Sequence, residues 1–213
     1  MTSSPAPRPA PAPEVVHRLE ATYPDAMCAL HFSNAYELLV ATVLSAQTTD
    51  VRVNQISPAL FARYPNAAAL AGADRAELEA ILRPLGMFRR RADQLLGLAA
   101  TLLADFGGEV PGERSALVSL PGVGRKTANV VLGNWFGAEE ITVDTHVGRV
   151  SRRLGWTAQQ NPLKVEADLR ALLPDAPWTK LCHQLILLGR EVCHSRRPDC
   201  ENCPLVDICP QLI

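Results

Sequence analysis

Leu120-Pro121-Gly122-Val123-Gly124-Arg125-Lys126-Thr127-Ala128-Asn129-Val130-Val131-Leu132 is the stretch on which the reading of this chain turns. The Pro-Gly-x-Gly run forms a tight turn between two short helical patterns. Glu113 to Leu120 precedes it, and Lys126 to Phe136 follows with Ala128, Val131, Leu132 and Trp135 on one face. The 113–136 segment therefore reads as a helix-hairpin-helix. Glycine permits positive φ and close backbone approach, so the amides of Gly122, Val123, Gly124 and Arg125 can converge at a helix N-terminus, where the macrodipole favours an anion. A DNA phosphate suits such a cradle. A plain helical corner is the other reading of so short a motif.

Lys126 follows the turn at about 200° around the helix from Ala128, away from the apolar stripe. It is one of only three lysines, with Lys164 and Lys180, in a chain whose other basic residues are arginines. An amine held there suits nucleophilic, Schiff-base-forming chemistry. A surface lysine touching phosphate is the alternative. In Val143-Asp144-Thr145-His146 the aspartate precedes a helical pattern running to Leu154, where it can act as an N-cap. The same carboxylate, brought near Lys126, could stabilise an oxocarbenium-like transition state and assist proton transfer.

Around this centre nearly every segment from Glu14 onward shows helical periodicity, as in Leu95, Leu98/Ala99, Leu102 and Phe106. Asn34 with Glu37, and Asp74 with Glu77, have capping-box spacing, while Gly107-Gly108 stops the leucine-rich helix. No strand pattern and no internal repeat stand out, so the fold class is all-α. Residues 1–13, with proline at every odd position from 5 to 13, are expected to form a disordered Pro/Ala-rich tail.

The 213 residues, 47% of them apolar, suffice for a sizeable core. Twenty-one basic and 22 acidic residues leave a net charge of −1, which excludes a uniformly basic nucleic-acid binder and makes any such contact local. No apolar stretch approaches bilayer length and no export-signal pattern is present, so a cytoplasmic protein without membrane contact is expected.

Cys193, Cys200, Cys203 and Cys209 follow the spacing C-x6-C-x2-C-x5-C within 17 residues. Without an export signal, disulfides are disfavoured, leaving zinc or an iron-sulfur cluster. One central C-x2-C with longer arms favours a 4Fe-4S cluster over the paired knuckles common in zinc sites. Cys28 and Cys182 read as ordinary buried thiols. Arg196 and Arg197 add a positive patch to the cysteine loop that could grip DNA backbone.

Taken together, the 120–132 stretch, Val143-Asp-Thr-His146 and the four cysteines resemble the endonuclease III family of base-excision glycosylases. The resemblance extends from about residue 14 to the end, through Leu44-Ser-Ala-Gln-Thr-Thr-Asp-Val51 and Gly107-Gly-Glu-Val-Pro111. It implies a two-domain helix-hairpin-helix DNA glycosylase fold with a C-terminal iron-sulfur cluster loop. The domains would be a six-helix domain at 28–138 and a cluster domain of 14–27 plus 139–213, with DNA in the cleft between them. It further implies a monomer that acts on double-stranded DNA containing damaged pyrimidines or abasic sites. The damaged nucleotide would be extruded and attacked at C1′ by Lys126 with Asp144 assisting, and the imine would then undergo β-elimination. The family's space-filling glutamine and stack-wedging apolar residue map onto Gln47 and Met87, where leucine is the commoner wedge. A helix-surface amide and a core gap-filler are the bland readings of these two. Rival functions are a monofunctional mismatch glycosylase of the same superfamily, against which Lys126 and the chain length argue, and a non-catalytic DNA-binding module.

Overall fold

The structure, a computed structural model, describes residues 8–212. It contains helices α1 (Ala12–Thr22), α2 (Ala35–Ser45), α3 (Asp50–Arg63), α4 (Ala67–Ala71), α5 (Arg75–Leu82), a 3-10 turn at Arg83–Leu85, α6 (Phe88–Phe106), α7 (Arg114–Ser119), α8 (Arg125–Asn134), α9 (Thr145–Arg153), α10 (Pro162–Leu172) and α11 (Trp178–Glu191). Among the described residues there is no strand, in agreement with the all-α expectation. The chain divides into two compact units, Cys28–Ala138 and a second formed by Met1–Met27 with Glu139–Ile213.

In the Cys28–Ala138 unit, α2 is apolar on nearly every side, and Leu38, Leu39, Val40, Ala41, Val43 and Leu44 are all buried. Such a helix is stable only at the centre of a unit, and α3 and α8 pack against it. The stripe of α6, Leu95, Leu98, Ala99 and Leu102, is fully buried, with α4 and α5 against this helix. Truncating one of these leucines to alanine would cost about 2–5 kcal/mol. Gly107, at φ 62°, ends α6 and lets the Gly108 amide donate to Leu102 O at 2.8 Å.

The capping pairs form as expected on one side only. Asn34 and Asp74 accept from the Glu37 and Glu77 amides, both at 2.9 Å. The glutamates do not reciprocate, because Glu37 turns to the Ser33 amide (2.7 Å) and Glu77 to Arg63 (2.7 and 2.9 Å). The helix count also differs from the expected six. Seven α-helices and the 3-10 turn occupy this unit among the described residues, because Asn66 caps the five-residue α4 as a separate helix.

The other unit joins both ends of the chain. Val15 and Leu19 of α1 share a core with Val147 and Val150 of α9, Val165 and Leu169 of α10, and Leu181, Leu185 and Leu188 of α11; Leu205 of the cysteine loop completes it. The expected disordered tail is corrected at its inner end. Ala10 is only 3% exposed, its amide donates to Leu154 O (2.8 Å), and its carbonyl accepts from Trp156 Nε1 (2.9 Å). A small side chain can be buried where its backbone groups find partners, and proline is tolerated in the first turn of a helix. α1 accordingly starts inside the proline run. Gly155, at φ 74°, suits this anchoring, since a side chain there would strain the backbone and bring its Cβ to 3.1 Å from Pro9 Cα. Residues 1–7 of the expected tail lie outside the described residues.

Candidate functional site

The hairpin of α7 and α8 is built on Gly122, whose φ of 79° is costly for any residue with a Cβ. Gly124 then takes the N-cap position of α8 without any side-chain cap. The leading amides of α8 are thus left without a side-chain partner from the helix's own cap, the condition under which a helix N-terminus attracts an anion. Gly122 and Gly124 have no hydrogen-bond acceptor for their amides among the described residues. Val123 departs from its expected role. Its side chain is buried and its amide donates to Leu120 O (3.1 Å), so it closes the turn instead of pointing an amide outward.

Lys126 lies in the first turn of α8 and is exposed, as is Arg125. Ala128, Val131 and Leu132 face the core as expected, whereas Trp135 is 43% exposed. Asn134 is the last residue of α8, so Trp135 falls off the helical stripe and packs edge-on against Phe32, with centroids 6.3 Å apart. Sequence reasoning missed Asn129. This buried amide of α8 accepts from Arg114 of α7 and ties the two arms of the hairpin. The signal was a polar residue on an otherwise apolar face.

Gln47 and Met87 belong to the same unit as the hairpin. Gln47 lies beyond the end of α2, is exposed, and has φ 64°; Met87 precedes α6, is 50% exposed, and has φ 46°. Neither bland reading survives, since Gln47 is not on a helix and Met87 fills no core gap. A non-glycine residue in the left-handed region is strained and persists only where its surroundings impose it.

In the other unit, Asp144 is the N-cap of α9, its Oδ1 accepting from the Val147 amide at 2.8 Å. Its second oxygen accepts from no described residue. Two residues earlier the Thr142 amide donates to Cys182 Sγ (3.3 Å), and burial pushes that thiol up to about 12. Cys182 is thereby an inert core residue, as expected; Cys28 is partly buried, which also raises its pKa.

The four clustered cysteines are free thiols lining one cavity with Arg153, Val192, Pro198, Asp199, Val206 and Gln211. Arg153 is a second residue that the sequence did not disclose. This buried guanidinium donates to Cys193 Sγ (3.2 Å), His194 O (2.6 Å) and Ser195 O (2.9 Å), holding the start of the loop to α9. Arg196 and Arg197 are exposed, and no carboxylate pairs with either among the described residues. No helix is long and apolar enough to cross a membrane among the described residues.

Residues 40–175 match the HhH-GPD superfamily of base excision DNA repair proteins. The chain is 46% identical to endonuclease III of Synechocystis sp. over 93% of its length and 91% of that protein. It is 43% identical to endonuclease III of Bacillus subtilis, over 88% of its length and 86% of the relative's. Its fold is similar to that of a solved non-covalent endonuclease III–DNA complex, with a TM-score of 0.88, 41% identity and 93% of each chain covered. With the hairpin and the capped aspartate both inside the matched residues 40–175, the chain belongs to the endonuclease III family of the HhH-GPD superfamily of base excision DNA repair proteins.

Proposed function

We propose that this base excision repair DNA glycosylase and AP lyase removes oxidised pyrimidines from duplex DNA with Lys126 as the nucleophile and Asp144 as its carboxylate partner. The observation that carries the reading is Lys126 itself, an exposed amine in the first turn of a helix that has no side-chain cap and follows a glycine turn.

The damaged nucleotide must first leave the stack, at a cost of a few kcal/mol. Met87 wedges the gap and Gln47 fills the vacated space, both being exposed residues with backbone in the left-handed region. The Gly122 and Gly124 amides, with the N-terminus of α8, hold a backbone phosphate. Arg125, Arg196 and Arg197 add cationic contacts that carry no sequence preference. The Lys126 amine then attacks C1′; its bond to carbon forms as the C1′–N bond to the base breaks, and the proton that the nitrogen gives up by way of Asp144 is the one the departing base carries away. The free oxygen of Asp144 stabilises the positive charge that develops on the sugar and accepts the proton given up by Lys126. Opening of the sugar gives an imine. Loss of a C2′ proton then breaks the C3′–O bond, and hydrolysis of the imine returns the amine.

The chemistry of the cysteine loop suits a resident cluster, because four cysteines that form no disulfide line one cavity. Cys193, Cys200, Cys203 and Cys209 would hold a 4Fe-4S cluster, which when bound supplies a rigid crosslink for the segment carrying Arg196 and Arg197. The enzyme would act on chromosomal DNA in the cytoplasm.

The test is Lys126→Gln on a duplex with one thymine glycol. Base release should fall by about 10²-fold or more at unchanged affinity. Retained release with weakened binding would make Lys126 a phosphate contact.

A further inference from the structure

Gln47 and Met87 are 40 residues apart in sequence, but each directly follows a carbonyl held by the same guanidinium. Arg91, in the first turn of α6, is 4% exposed. Its Nε donates to Gly86 O (3.0 Å), one Nη to Leu44 O, and the other Nη to Ala46 O (2.9 Å). Leu44 is in the last turn of α2, Ala46 ends it, and Gly86 leads into α6. The Arg91 amide also closes onto Met87 O at 3.1 Å.

A buried arginine is usually matched by a carboxylate, because desolvating the charge is costly. No carboxylate pairs with Arg91 among the described residues, and its side-chain acceptors are all backbone carbonyls. The fork geometry of a guanidinium allows it to hold several carbonyls at fixed separation, which an ammonium does not. The segments it joins are also strained. Gly86 and Met87 have successive φ values of 70° and 46°, α6 begins without a side-chain cap, and Gln47 has φ 64°. Such conformations need an external constraint.

We propose that Arg91 is a positioning residue that fixes the Gln47 and Met87 loops to one frame, so that the two side chains enter the DNA stack as a unit. The inference rests on the reading of Gln47 and Met87 as the residues that fill and wedge the stack. Arg91 itself touches no reacting atom.

The test uses the full-length holoenzyme and a duplex with thymine glycol opposite 2-aminopurine, whose fluorescence reports unstacking. Gln47→Ala with Met87→Ala should slow unstacking, Arg91→Met should slow it about tenfold or more, and Arg91→Lys should recover part of the loss. Adding Arg91→Met to the Gln47/Met87 double variant should change the rate by less than about twofold, because all three act through one step. Imine trapping on a single-stranded abasic oligonucleotide, which needs no extrusion from a duplex, should be the same for wild type and Arg91→Met. If Arg91→Met lowers only the melting temperature, or slows unstacking equally in the double-variant background, Arg91 is merely structural and the proposal is overturned. If the Gln47/Met87 double variant unstacks DNA at the wild-type rate, the wedge reading itself falls, and the positioning role with it. Should Arg91→Met not fold, amide exchange in Arg91→Lys decides. Gln47, Thr48, Met87 and Phe88 should all exchange faster, and acceleration in one loop only would overturn the common frame.

Discussion

Asp144 Oδ1 accepts a hydrogen bond from the Val147 amide at 2.8 Å, so the carboxylate caps α9 with one oxygen and keeps the other available. The cap and the proposed charge on the reacting sugar draw on different properties of one side chain. Asparagine preserves the first and removes the second. Asp144→Asn should therefore keep stability within about 0.5 kcal/mol, whereas Asp144→Ala loses about 1 kcal/mol. Both should lower base release by about 10²-fold or more. Thermal melting beside single-turnover excision checks this, and an active Asn variant would reduce Asp144 to a cap.

Removal of the proposed cluster should unsettle the cysteine loop without unfolding α2 to α8, which have their own core. Burial and then the neighbouring thiols raise the pKa of Cys203 and Cys209, so binding the proposed cluster as thiolates would displace protons from them. Cys200→Ser should lose iron and visible absorption, while amide exchange within 28–138 stays as in wild type. A colourless, iron-free wild-type protein that remains so after reconstitution with iron and sulfide would contradict the cluster.

Arg196→Glu and Arg197→Glu should weaken binding equally for damaged and undamaged duplexes and flatten its salt dependence. Each lost phosphate contact lowers the slope of log K against log salt by about 0.9. Fluorescence anisotropy over a range of salt concentrations measures this. An unchanged slope would remove the loop from the interface.

Acid stability should depend on Glu20, which joins α1 to α11 through Lys180 (2.5 Å) and Gln184 (2.8 Å). The bond from Lys180, then that from Gln184, holds its carboxyl below the ordinary 4.5. A folded-state pKa below the unfolded one stabilises the fold above the unfolded value, and the benefit disappears as pH falls through the folded one. Glu20→Gln should therefore lower the melting temperature slightly at neutral pH and flatten its decline below about pH 4.5. Parallel curves for both proteins would exclude Glu20 as a contributor.

What the sequence disclosed was local. The Asn34 and Asp74 caps, the Gly107 stop, the buried stripe of α6 and the outward Lys126 all follow from neighbours within a few residues. Features that depend on distant partners were not legible. Ala10 is buried because Leu154 and Trp156 supply its hydrogen bonds, and nothing in a proline-alanine run announces those partners. Arg91 reaches a carbonyl 47 residues away, and Arg153 a thiol 40 residues away. Both look like ordinary helix-surface arginines in sequence. Positive φ at Gln47 and Met87 was equally hidden, since neither residue type favours it.

The most direct test of the central claim is borohydride trapping on a duplex containing one thymine glycol, with wild type and Lys126→Gln side by side. Reduction of the imine should give a covalent protein–DNA adduct in wild type and none in the variant. An adduct of equal yield in Lys126→Gln, or base release by wild type without any adduct, would contradict Lys126 as the nucleophile.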